Sequence, residues 1–202
     1  MSPEGHNTVA GVNAAQAELM HLLRPFVSRD FLAECEVVRP AAIPEPSHRL
    51  LVHQKHMTLE LERHHGLPVD VRVLREQSQH DAYTRMIGLN LRGTSTIVEW
   101  GICRLNLRML AERVREEILA KAKPLGAILI EHDVYRRIEP RHYVQFAAGS
   151  PVVGLFGETS DIPVFGRLGI IYCDDEPAIE LLEIVVNTDT TPSPGARAAG
   201  SE

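Results

Sequence analysis

Cysteine is scarce: Cys35, Cys103 and Cys173 are the only three in 202 residues, and no two stand in a CxxC spacing. An odd, scattered set fits a reducing, cytoplasmic setting better than a disulfide framework, and each thiol is expected to behave as a small buried hydrophobe. Long apolar runs are missing too. Nothing approaches the ~20 residues of a membrane helix, and residues 1–16 lack the basic stretch and apolar run of a secretory signal. A basic excess is also absent, since 21 Lys and Arg face 27 Asp and Glu for a net charge of −6. That argues against nucleic acid or an anionic membrane surface as a partner. An anionic ligand would have to be drawn by a local group of arginines.

Nucleotide and metal signatures are equally lacking. There is no GxGxxG, Walker loop, GxSxG elbow or kinase motif. Ten histidines invite a metal hypothesis. Yet His53, His56, His64 and His65 form no HExxH, and adjacent histidines on a helix point to different sides. The expectation is therefore a site with no cofactor and no metal.

What is present reads as one domain over residues 13–187, between polar, aperiodic ends at 1–12 and 188–202 that are expected to be disordered. Residues 14–23 have helical spacing and stop at Pro25, and a second short helix is plausible over 30–35. Thr58 is positioned to cap a helix over 59–65 that Gly66 and Pro68 end. Beyond Pro68 the period changes to two. Val69, Val71 and Val73 alternate with Asp70 and Arg72, and strands follow at 83–91 and 96–106 around the turn Arg92-Gly93-Thr94-Ser95. Asn106 is a candidate cap for a helix carrying Leu107, Leu110, Val114 and Ile118, and Pro124-Leu125-Gly126 starts another. Further strand signals lie at 134–138, 142–146, 166–172 and 178–187, with a Gly/Pro/Ser-rich loop at 151–163. Hairpin-joined strands and clustered helices predict an α+β fold, a mainly antiparallel six-stranded sheet with helices covering one face.

Strand parity then isolates a few charges. Arg85 shares its row with Tyr83, Ile87, Leu89 and Leu91. Glu183 shares one with Ile179, Leu181 and Val185, and Glu99 one with Ile97, Gly101, Cys103 and Leu105. A buried ionised group is costly unless paired. These placements mean either internal ion pairs or a pocket in which Arg85 grips a carboxylate through its planar fork and Glu183 handles a hydroxyl or a proton. For Glu99 a cross-strand arginine partner is the favoured reading. Arg104 falls on the face opposite Glu99, and Arg167 is open between ligand and surface charge.

The order of segments from Met57 to Asn187 resembles the chorismate–pyruvate lyase family of 4-hydroxybenzoate synthases. The likeness is carried by His56-Met57-Thr58 followed by Gly66, by Leu74-Arg75-Glu76, by Tyr83-Thr84-Arg85, by Pro124-Leu125-Gly126 and by Leu182-Glu183-Ile184. The resemblance implies a buried pocket closed by helical flaps, and cofactor-free elimination of pyruvate from chorismate to leave 4-hydroxybenzoate. It further implies that Arg85 and the main chain at Leu125 hold a carboxylate of a small anionic substrate, that Met57 walls the pocket, and that Glu183 meets the ring hydroxyl as acid or base. His132 matches a histidine of some members and is a secondary substrate-binding candidate. The first ~50 residues have no counterpart. Glu99, Trp100 and Arg104 also depart from the family pattern, so two other functions stay open: a tailoring enzyme for another carboxylated metabolite, and a non-catalytic ligand-sensing module.

Overall fold

A computed structural model describes residues 9–27, 35–155 and 161–186. A short strand β1 (Glu36–Val38) precedes the period-two region. That region forms β2 (Val69–Gln79), β3 (Ala82–Leu91), β4 (Ile97–Asn106), β5 (Arg136–Phe146), β6 (Val164–Cys173) and β7 (Glu176–Val185). All pairings are antiparallel, in a single sheet of order β1-β5-β6-β7-β4-β3-β2. The antiparallel α+β expectation holds, but the sheet has seven strands where six were expected. At three residues, β1 is too short to show a period. Strand signals at 134–138 and 142–146 belong to one strand, β5, whose register slips between Pro140 and His142. A proline lacks the N–H for a ladder and is accommodated at such a bulge.

Helices cover both faces, a second correction. On one face α1 (Val9–Leu23) sets Ala15, Leu19, Leu22 and Leu23 against Met86, Trp100, Ile102, Phe146 and Leu182. This helix begins at Val9, inside the stretch expected to be disordered. The opposite face carries two helix pairs, α2 (Ser47–Leu51) with α3 (Met57–His65), and α4 (Glu112–Ala120) with α5 (Leu125–Glu131). A one-turn α6 (Pro151–Gly154) lies within the expected 151–163 loop and adds Val152 and Val153 to the α1 side. Residues 1–8, the tail from 188 and all but Cys35 of the helix expected over 30–35 lie outside the described residues.

The two helix pairs bury separate apolar clusters. Leu50, Leu51, Met57 and Leu61 pack on Ile87, Leu89, Phe165 and Val185. Val114, Ile118, Ile128 and Leu129 pack on Tyr83, Cys103, Ile171 and Leu181. Val114 and Ile118 stand one helical turn apart and are closed off from solvent, each contributing about 1.5–3 kcal/mol of burial. Local signals set the helix ends. Gly66, at φ +69°, closes α3 with its N–H on the Glu62 carbonyl, a left-handed cap that other residues adopt at a cost. Asn106 caps a single 3-10 turn through the Arg108 N–H, and α4 starts only at Glu112. Thr58 does not cap α3. It lies in the first turn, buried, with His56 at the cap position.

Candidate functional site

Between the two helix pairs the sheet face carries four ionisable side chains, Arg85, Glu99, Arg167 and Glu183, among apolar ones. Register fixes which side chains meet there. Ile87, Gly101, Glu183 and Arg167 form one ladder row across β3, β4, β7 and β6. The next row holds Arg85, Cys103, Leu181 and Gly169, and the row on the other side Leu89, Glu99, Val185 and Phe165. A cavity of about 60 Å³ opens over these rows. Its floor is Ile87, Leu89, Glu99, Gly101, Cys103, Leu181 and Glu183; its walls are the starts of α3 (His56, Met57, Thr58) and α5 (Pro124, Leu125, Gly126). The two helix starts approach closely because Gly126 has no side chain: a Cβ there would stand 3.1 Å from His56 Nδ1 and 3.2 Å from Thr58 Oγ1.

Arg167 organises one end. Its Nε donates to Glu183 Oε2 at 2.5 Å, Nη1 to the carbonyls of Leu51 (3.1 Å) and His53 (2.8 Å) and to His53 Nδ1 (3.2 Å), and Nη2 to the Lys55 carbonyl (3.3 Å). One guanidinium thus ties the α2–α3 connection to the cavity carboxylate. His53 donates from Nε2 to the Leu50 carbonyl, so Nδ1 is the acceptor, and burial with the nearby Arg167 charge pulls its pKa down. His56 accepts from Arg136 Nε. Burial first, then Arg136 and Arg167, hold its pKa down at about 4. Its ring is neutral near pH 7, and with Nε2 accepting, the proton sits on Nδ1, the edge facing Gly126.

Arg85 and Glu99 are buried without adequate partners. Arg85 is 0 % exposed; its Nη1 donates to the Ile118 carbonyl of α4 at 3.4 Å, and the Cys103 thiol lies within hydrogen-bonding reach of its guanidinium. Its Nε and Nη2 have no partner. These two nitrogens form the side-on fork of the guanidinium, the geometry that accepts both oxygens of one carboxylate. Glu99 is 2 % exposed, and its Oε2 is likewise unpartnered. Burial and the neighbouring Glu183 raise its pKa well above the ordinary carboxylate range, against an opposing pull from Arg167. The cross-strand arginine expected for it is not opposite: Glu99 faces Leu89 and Val185.

Of the sequence candidates, Met57, Leu125 and Glu183 line the cavity together. Arg85 lies in the adjoining row, directly across from Cys103, which also lines it. His132 ends α5, with Nε2 3.0 Å from Glu117 Oε1 on α4, and is not among the lining residues. Arg104 pairs with Glu180 at 3.3 Å on the other face. Sequence reasoning left Arg167 undecided and missed His56, Thr58 and Gly126. Arg167 was hidden because both rows of β6 are apolar, Phe165, Gly169 and Ile171 beside Val164, Leu168 and Ile170, so parity could not separate them. The available signal for Gly126 was a glycine in the first turn of a helix, where close packing is a common reason for it. Among the described residues, no three His, Cys, Asp or Glu side chains converge to hold a metal ion, and no helix is long and apolar enough to cross a membrane.

Comparison with solved structures finds twenty similar chains, among them three of low identity. One is the ligand-binding domain of a Bordetella bronchiseptica protein assigned to the GntR family of transcriptional regulators (16 % identity, 59 % of this chain and 86 % of that one, TM-score 0.44). A second is YydK of Bacillus subtilis, assigned as a transcriptional regulator (8 %, 58 % of each chain, TM-score 0.40). The third is PhnF from Mycobacterium smegmatis (12 %, 87 % and 80 %, TM-score 0.46). No protein-family model and no curated protein matches the sequence.

Proposed function

We propose that this domain is a ligand-sensing module that encloses a small carboxylate-bearing molecule between its sheet and the two helix pairs. The observation that carries the reading is the empty side-on fork of Arg85. A buried guanidinium with two unused donors forgoes about 1–3 kcal/mol for each, and a carboxylate would satisfy both at once. Leu125 and Met57 would close over the ligand, and Glu183, fixed by Arg167, would receive a donor at its far end. The cavity's volume of about 60 Å³ supports sensing. A benzene-sized guest needs roughly 150 Å³, so a ring-sized ligand must part α2–α3 from α4–α5. Occupancy thereby becomes a displacement of helices that a partner can read.

Elimination of pyruvate from chorismate is the second reading. It is favoured by one feature: burial and the neighbouring Glu183 push the Glu99 pKa up, the direction that suits a proton donor in the cavity. Glu183 itself is committed to Arg167, which disfavours it as the acid. One experiment separates the two. The purified protein is given chorismate and assayed for pyruvate, and is melted with and without 4-hydroxybenzoate. Sensing requires stabilisation by 4-hydroxybenzoate, its loss in Arg85→Met, and no pyruvate. Pyruvate release above the spontaneous rate would establish the lyase instead.

A further inference from the structure

Two carboxyl groups in the cavity answer to a single cation. Glu99 and Glu183 both line it, and none of its lining residues is an arginine or a lysine. The two meet around Gly101. Glu183 is the cross-strand partner of Gly101, and Glu99 Oε1, on the same face of β4, stands 3.3 Å from where a Cβ on that glycine would be. Arg167 is committed to one of them: its Nε holds Glu183 Oε2, and its other nitrogens go to the carbonyls of Leu51, His53 and Lys55 and to His53 Nδ1. Glu99 is closed off from solvent, and its Oε2 has no partner. A second carboxyl beside an ionised one, shut away from water, favours its neutral form, because the charged form is both desolvated and repelled. Burial and Glu183 raise the Glu99 pKa accordingly, against the pull of Arg167. Glu99 then brings an O–H into the cavity, while Glu183 brings the acceptor Oε1.

We infer that Glu99 is a specificity-determining residue: as the neutral acid it donates to the oxygen of a ligand hydroxyl, whose own proton goes to Glu183. This rests on the reading that the cavity encloses a small carboxylate-bearing molecule, and it assigns that molecule to the hydroxy-substituted carboxylates. A hydroxyl is donor and acceptor at one atom, so it satisfies both glutamates at once. An amino group on an aromatic ring donates to Glu183, but its lone pair is drawn into the ring and leaves the Glu99 proton unmet. A fluorine of similar size donates nothing and accepts weakly. The inference does not depend on which group holds the carboxylate.

The test uses four probes of one shape: benzoate, 4-fluorobenzoate, 4-aminobenzoate and 4-hydroxybenzoate. Each is titrated calorimetrically at neutral pH into the wild-type chain, Glu99→Gln and Glu99→Leu. The wild type should prefer 4-hydroxybenzoate over 4-aminobenzoate by about tenfold, the cost of one stranded buried donor, and over 4-fluorobenzoate by at least as much. Glu99→Gln supplies an N–H in place of the O–H and should keep the preference. Glu99→Leu supplies neither, and the gap between 4-hydroxybenzoate and 4-aminobenzoate should shrink below about threefold. Equal or tighter binding of 4-aminobenzoate by the wild type overturns the inference and needs no variant. So does a preference for the hydroxyl that survives Glu99→Leu. Binding of no probe at all has a different signature, and it removes the enclosing reading together with this one.

Discussion

Arg167 and Arg85 project from adjacent rows of the same sheet face and are 1 % and 0 % exposed, yet the fold treats them oppositely. Arg167 meets an acceptor with each of its nitrogens and holds the α2–α3 connection against β6 and β7. Arg85 has one long hydrogen bond to a carbonyl, only the weakly accepting Cys103 sulfur beside it, and an unmet Nε and Nη2. Burial alone therefore does not distinguish a structural charge from a binding one. Unfilled hydrogen-bonding capacity does, because a fold gains nothing from burying donors that it leaves unmet.

The largest effect should come from Arg167→Met. It leaves the partly buried Glu183 without its cation and strips three carbonyls of their donor, a loss of about 3–5 kcal/mol in urea-induced unfolding. A loss below about 1 kcal/mol would show that the two arginines are not different in kind. Next comes His56, whose neutrality depends partly on Arg167. Its imidazole takes a proton near 6.5 in the unfolded chain but only near 4 when folded. The unfolded state thus binds more protons between these values, and stability falls as pH drops from about 6.5 to about 4. The full shift is worth about 3 kcal/mol. His56→Gln should lose less stability than the wild type over that window, and parallel curves would refute the assignment. Arg85→Met should go the other way, raising the stability of the ligand-free protein by about 1–2 kcal/mol while weakening 4-hydroxybenzoate at least tenfold. Destabilisation comparable to Arg167→Met would erase the contrast. Smallest is His132→Ala, which removes a partly exposed pair with Glu117 and should change stability by less than about 1 kcal/mol. Unchanged affinity for 4-hydroxybenzoate is expected as well, and a tenfold loss would return His132 to the site.

Parity in the sequence isolated Arg85, Glu99 and Glu183 because each interrupts a row of apolar residues on a strand with a definite face. The same rule could not place Arg167, whose strand is buried on both sides, nor could it locate His56, which reaches the cavity from a helix start. The antiparallel α+β architecture was legible from hairpin turns and period. Coverage of the second face by α1 was not, since a helical stripe of Ala15, Leu19, Leu22 and Leu23 announces burial without naming the surface it meets. Pair distances across the cavity were likewise invisible, because they depend on Gly101 and Gly126, where the absence of a side chain does the shaping.

The strand order has a consequence for biosynthesis. β7, last of the seven to leave the ribosome, is inserted between β4 and β6 and carries Glu183 on its inner face. Until it emerges, the β2–β3–β4 meander and the β5–β6 hairpin each hold an open flank, and Arg167 on β6 has no Glu183 to pair with. Assembly of the pocket and sealing of those sticky flanks are therefore one late event. Nascent chains stalled before Ala178 should need chaperone protection that the finished chain does not.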